Sequence, residues 1–200
     1  MLEEKRENFK KIGEKIGETF SNLGLTANQY TLISLGFAVV SFYFLIKIKL
    51  FLALLSFLAA GFLDLIDGAV ARKMGKATKK GAYMDTICDR YVEGIILVGF
   101  LFLPLPNLIL PTRVWIGLAF FGSLMTTYAK AAAKEKELVI KELRKGLVGR
   151  GERIILISLT MLLGSFNLFL AIYPIIILAI FSNITALQRI YLTLNQKKLN

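Results

Sequence analysis

The chain contains no histidine and one cysteine, Cys88, among its 200 residues. Those absences exclude a His- or Cys-ligated zinc site, a Ser/His/Asp triad, a Cys/His nucleophile pair and any disulfide within the chain. Acids are scarce too: 14 Asp and Glu stand against 25 Lys and Arg, for a formal charge of +11. Any chemistry must therefore come from carboxylates, hydroxyls, Lys, Arg and a bound metal. Apolar residues are in excess, at 56% of the chain, where a soluble domain averages about 45–50%. In so short a chain that surplus cannot all be buried in its own core, so the expected solvent is lipid. The first 22 residues are charged and lack an uninterrupted apolar centre, so no cleavable signal peptide is expected.

The apolar runs divide into six spans, Tyr30–Ile46, Leu50–Ala71, Ala82–Leu103, Val114–Ala133, Ile154–Leu170 and Ala171–Leu194, each of transmembrane length. The predicted fold is all-α: a polytopic membrane protein of six transmembrane helices with an N-terminal interfacial amphipathic helix. The breaks are Lys47 and Lys49, the basic loop Arg72–Lys80, Pro104 to Pro111, the charged stretch Lys134–Arg153, and Ser165–Asn167. Apart from Lys47, Lys49, Arg113 and the intramembrane Arg90, every Lys and Arg falls in or beside the N-terminal arm, the second loop, the fourth loop or the tail. By the positive-inside rule that bias predicts a plasma-membrane protein with both termini and the site described below facing the cytoplasm. Basic residues that bracket apolar spans point to membrane and phosphate partners rather than nucleic acid.

Residues 1–22 read as a separate element. Phe9, Ile12, Ile16 and Phe20 recur at steps of three and four among Lys and Glu, a narrow apolar stripe suited to the headgroup layer or to packing on a partner. Residues 23–200 form the membrane domain.

All four aspartates, Asp64, Asp67, Asp85 and Asp89, fall inside spans two and three. An intramembrane carboxylate costs about 2.5–3.5 kcal/mol even on insertion scales, so four of them need compensation. Asp64 and Asp67 are i, i+3, and Asp85 and Asp89 are i, i+4, so each pair shares a face of its helix. Across the hairpin the two pairs come to similar depth near the cytoplasmic side. Converging carboxylates stay ionised only if cations neutralise them, and hard oxygen ligands favour Mg²⁺ or Mn²⁺, with two ions sharing the cluster. An ion pathway, or a structural set paired to Arg72 and Arg90, is the alternative. Gly68, Ala71, Gly75 and Gly81 leave room for a ligand, and Arg72 with Lys73, Lys76, Lys79 and Lys80 supplies donors for phosphate.

The string Asp64-Leu-Ile-Asp67-Gly68-Ala-Val-Ala71-Arg72, eight residues, then Gly81-Ala-Tyr-Met-Asp85-Thr-Ile-Cys-Asp89 resembles the signature of the CDP-alcohol phosphotransferases at all eight of its fixed positions. The resemblance implies transfer of a substituted phosphoryl group from a CDP-linked lipid (CDP-diacylglycerol or CDP-archaeol) to an alcohol, with CMP leaving. It implies metal ligation by Asp64, Asp67, Asp85 and Asp89, with Asp89 also the general base. It puts the CDP-lipid at Gly68, Arg72, Thr78 and the stretch Asn28, Gln29, Tyr30 and Thr31, where Ala27 stands in place of the family's usual proline. A homodimer is implied as well.

Gly75 to Arg90 is further similar to the phosphatidylinositol phosphate and archaetidylinositol phosphate synthases, which use inositol phosphate. Tyr128-Ala-Lys130-Ala and Gly149-Arg150-Gly-Glu152-Arg153 resemble two more segments of that subgroup, implying that Lys130, Arg150 and Arg153 hold the acceptor's phosphate. Ala132 and Lys134 depart from its pattern, which leaves glycerol phosphate, serine or a soluble inositol compound as other acceptors. Lys130, Arg150 and Arg153 also read as snorkelling anchors at helix ends. Rivals of a different class are a cation transporter using the aspartates and a basic membrane adaptor.

Overall fold

The structure, a computed structural model, describes residues 15–75, 78–139 and 146–195. Among these residues the regular elements are helices, and extended backbone pairs at one isolated bridge, Leu108 with Leu110. Six long helices follow in order: α1 (Ala27–Ile46), α2 (Leu50–Lys73), α3 (Lys79–Phe100), α4 (Thr112–Glu135), α5 (Arg150–Phe166) and α6 (Ile172–Leu194). They coincide with the six expected apolar runs to within a few residues. Three of them, α1, α2 and α6, are long and apolar enough to cross a membrane. The others fall short for visible reasons: α3 carries six charged residues, α4 has polar ends, and α5 has 17 residues.

Local chemistry sets the helix ends. Thr26 and Gln29 form a capping box at the start of α1, the Thr26 amide donating to Gln29 Oε1 at 2.8 Å and the Gln29 amide to Thr26 Oγ1 at 3.4 Å. At the far end of α2 the chain turns through Gly75 at φ 61°, a left-handed conformation that glycine adopts without a Cβ clash. Thr78 opens α3 as its N-cap, Oγ1 accepting from the Gly81 amide at 3.0 Å. The third span was expected to reach Leu103, but α3 stops at Phe100 and residues 101–103 form a tight turn, because Pro104 cannot donate to a continuing helix.

The chain divides into two compact units. One holds the chain up to Phe44 together with Leu55–Ile96, and the other Leu45–Leu54 with the chain from Leu97 onward. In the first, Tyr30, Ile66 and Val70 form a buried cluster against which Ile16, Phe20, Leu25 and Leu63 pack. Of the expected N-terminal helix, residues 1–14, with Phe9 and Ile12, lie outside the described residues, while residues 15–21 are helical. The described half of its apolar stripe faces protein: the Phe20 ring meets Tyr30 edge-on at 6.2 Å, and Tyr30 Oη donates to the Phe20 carbonyl at 2.9 Å. In the second unit α6 packs along α4 and α5. Asn183 Nδ2 donates to the carbonyls of Leu118 and Ala179, both at 2.8 Å, and a Cβ at Gly122 would stand 2.6 Å from that nitrogen, so these two helices meet almost backbone to backbone.

Candidate metal centre and substrate cavity

Asp64 and Asp67 lie in the second half of α2, and Asp85 in the second turn of α3. Each of the three offers a carboxylate oxygen, and those oxygens lie within 4.8 Å of one another. Opposed ligands around a hard divalent cation are separated by twice a metal–oxygen bond, about 4.2 Å for Mg²⁺ and about 4.8 Å for Ca²⁺. The set therefore fits a divalent ion, and all-oxygen ligation suits Mg²⁺ or Mn²⁺ chemistry. Asp67 is 5% exposed, and Thr31, 4% exposed, donates to its Oδ2 at 2.6 Å. That bond orients a ligand from outside the coordination shell, the usual task of a neighbour to a metal-binding carboxylate. Asp89, one helical turn beyond Asp85, stands outside the three-oxygen set.

Beside the carboxylates lies a cavity of about 190 Å³, lined by Asn28, Thr31, Asp67, Gly68, Arg72 and Thr78, with Ala27, Ala71, Gly81, Ala82 and Asp85 completing the wall. Of the seven residues expected at the nucleotide, five line this cavity. The other two do not: Gln29 is engaged in the α1 capping box, and Tyr30, 2% exposed, sits in the apolar cluster. The geometry gives the small residues their reason. A Cβ on Gly68 would lie 3.3 Å from Arg72 Nη1, so glycine lets the guanidinium fold back over the helix. A Cβ on Gly81 would lie 3.2 Å from Thr78 Oγ1 and 3.5 Å from Asn28 Oδ1, so glycine here brings two polar side chains to the wall.

Lys130, Arg150 and Arg153 belong to the second unit. Arg150 is exposed at the first turn of α5, Lys130 is half-buried on α4, and Arg153 is 3% exposed. Arg153 Nη1 donates to Thr126 Oγ1 at 2.7 Å. A second guanidinium reaches the same residue: Arg189 of α6, 8% exposed, donates through Nη1 to the Thr126 carbonyl at 2.6 Å. Lys130 follows Thr126 by one turn on the same face of α4. Sequence reasoning grouped Arg189 with the basic tail. The signal that marks it out is that it is the single charged residue within α6, and an intramembrane charge is by default a functional one.

Helices of membrane-crossing character, a hairpin that gathers three carboxylates, and an adjoining cavity edged by an arginine define a membrane enzyme that handles a phosphate-bearing substrate with a divalent ion. A model of the family described as CDP-alcohol phosphatidyltransferase matches residues 24–193. This chain belongs to that family, and is an enzyme of the CDP-alcohol phosphotransferase class. It is 33% identical over 192 residues to an archaetidylinositol phosphate synthase from Pyrococcus horikoshii, covering 96% of this chain and 95% of the relative. Among solved structures, the phosphatidylinositol phosphate synthase of Mycobacterium tuberculosis shares the fold. Its complex with manganese and citrate superposes with a TM-score of 0.79 at 24% identity, covering 92% of this chain and 89% of that one. The same enzyme with CDP-DAG bound gives 0.80 at 24% identity, covering 92% and 94%.

Proposed function

We propose that this enzyme transfers the lipid phosphatidyl-type group of a CDP-linked lipid to inositol phosphate and releases CMP. The observation that carries the reading is the three-carboxylate set of Asp64, Asp67 and Asp85 opening on the cavity with Asn28, Gly68, Arg72 and Thr78 on its wall. That the M. tuberculosis enzyme of the same fold is described with manganese and with CDP-DAG agrees with it, as does the 33% identity to an archaetidylinositol phosphate synthase.

Asp64, Asp67 and Asp85 hold Mg²⁺ or Mn²⁺, with Asp89 completing the site for a second ion. When bound, the metal neutralises the pyrophosphate and stabilises charge on the departing phosphate. Arg72, with its guanidinium turned back over Gly68, binds the pyrophosphate oxygens of the CDP-lipid. Asn28, Thr31 and Thr78 border the nucleotide. Asp89, outside the three-oxygen set, accepts the proton of the attacking hydroxyl, the one role a carboxylate base must fill in a site without histidine. The acceptor oxygen bonds to the lipid-bearing phosphorus, the bond from that phosphorus to the CMP oxygen breaks, and CMP leaves with the electron pair.

The acceptor's own phosphate is bound by Lys130, Arg150 and Arg153, joined by Arg189, since guanidinium forks match a phosphate's geometry. Serine, which carries no phosphate, would not call for guanidinium forks of this kind. In the membrane the six helices are six spans with the basic loops and both termini on the cytoplasmic side of the plasma membrane, and the enzyme works as a homodimer.

The test is CMP release by purified protein with Mg²⁺ or Mn²⁺ and a CDP-lipid, with inositol phosphate, glycerol phosphate and serine supplied in parallel. Turnover with inositol phosphate alone is the expected result. Release with another acceptor corrects the substrate, and no release with any acceptor, together with metal flux into sealed vesicles, would give the site to ion transport instead.

A further inference from the structure

Arg90 follows Asp89 directly on α3 and is the single cation in that helix beyond its first turn. A guanidinium at this point is a hazard to a metal site. It carries five donors in a planar fork, binds carboxylates bidentately, and is tethered one residue from Asp89 and five from Asp85. If it turned to them it would occupy the oxygens that a divalent ion needs. The structure shows it turned elsewhere: Arg90 Nη1 donates to Oε2 of Glu93 in an i, i+3 ion pair, with side chains 16% and 11% exposed. Glu93 itself is 8% exposed. It is the next step, at i+4, of the row that begins with Asp85 and Asp89, yet it is not part of the three-oxygen set.

A buried acid of this kind is costly unless it is paired, and Asp67 and Glu93 are the two buried carboxylates among the described residues. The metal accounts for Asp67. We propose that Glu93 is a positioning residue: it confines the guanidinium of Arg90 and thereby keeps the aspartates of α2 and α3 available to the divalent ion. The inference rests on the reading of those aspartates as metal ligands. It differs from a packing role in one respect, because a pair that merely satisfied itself would leave metal affinity unchanged when its charge or reach is altered.

The experiment titrates full-length protein in lipid nanodiscs with Mn²⁺, following the free aquo ion by electron paramagnetic resonance, with neither substrate present. No binding by the wild type overturns the metal-site reading itself. With wild-type binding in place, Glu93→Gln is expected to weaken Mn²⁺ affinity about tenfold, in the range seen when groups that orient metal ligands are altered. Glu93→Asp keeps the charge and withdraws the carboxylate by one methylene, and it is expected to weaken affinity to a smaller but measurable degree. Removing the confined charge as well, in Arg90→Gln/Glu93→Gln, is expected to restore affinity to near wild type. Wild-type affinity in Glu93→Asp, or a double variant as weak as Glu93→Gln, overturns the proposal and leaves the metal site standing. Should Glu93→Gln fail to fold, the other two variants decide.

Discussion

The two units of the molecule bury opposite charges. In the first, the buried ionisable groups are acids, Asp67 and Glu93; in the second they are arginines, Arg153 and Arg189. The described carboxylates of the second unit, Glu135, Glu137 and Glu152, are exposed. Burial of a charge is expensive in either place, so each unit must meet the cost with what its helices bring together. The first gathers three carboxylate oxygens within 4.8 Å, a geometry for a cation. The second brings two guanidiniums to one residue, Thr126, whose hydroxyl and carbonyl oxygens accept from Arg153 and Arg189. In the first unit Glu93 is paired with Arg90, and Asp67, which accepts from Thr31, belongs to the three-oxygen set.

The comparison can be broken most sharply at Asp89. Asp89→Asn is expected to lower CMP release about a thousandfold, within the range of general-base contributions, while the helical circular dichroism stays at wild-type level. Turnover within tenfold of wild type would deny Asp89 the role of base. In the second unit, Arg189→Gln removes a charged donor to the Thr126 carbonyl and is expected to raise the KM for the phosphorylated acceptor about 30-fold, since a hydrogen bond to a charged group is worth about 1.5–3 kcal/mol. The KM for the CDP-lipid should hold. A parallel rise in both would mean that the two units do not divide the substrates between them.

Smaller effects sharpen the picture. Thr31→Val removes the donor to Asp67 Oδ2 and is expected to weaken Mn²⁺ binding about tenfold, with Thr31→Ser restoring it. Equal loss in both variants would point to packing rather than the hydrogen bond. The smallest expected change is at the Lys73–Glu18 ion pair, 3.8 Å apart with side chains 49% and 67% exposed. Glu18→Gln should cost well under about 1 kcal/mol, seen as a thermal midpoint almost unmoved. The contacts of Ile16 and Phe20 with the cluster of Tyr30, Ile66 and Val70 carry the attachment of residues 15–21.

Much of this was legible in the sequence because lipid is an undemanding solvent to read. Helix after helix announced itself as an apolar run closed by Lys, Pro or Gly, and the eight-position aspartate motif marked out the hairpin that gathers three carboxylates. What stayed hidden depended on which way a side chain turns. Tyr30, assigned by resemblance to the nucleotide, lies in the apolar cluster with its hydroxyl on the Phe20 carbonyl, a partner ten residues away that no local pattern reveals. Asp85 joins Asp64 and Asp67 while Asp89, in the same motif, stands apart. Residues one turn apart on a helix differ by about 40° in direction and 6 Å in height, enough to bring one into a cluster and leave the other beside it.

By itself the sequence determined that this is a helical membrane protein of the CDP-alcohol phosphotransferase kind, because hydrophobic length, charge bias and fixed motif spacing are properties of the chain read in a line. Only the tertiary structure decided that Thr31 serves Asp67, that Gly68 makes way for Arg72, and that Arg153 and Arg189 meet at Thr126. Those pairings join residues as much as 63 positions apart, and a hydrogen bond of under 3 Å is settled by helix packing to a fraction of an ångström, which linear spacing does not encode.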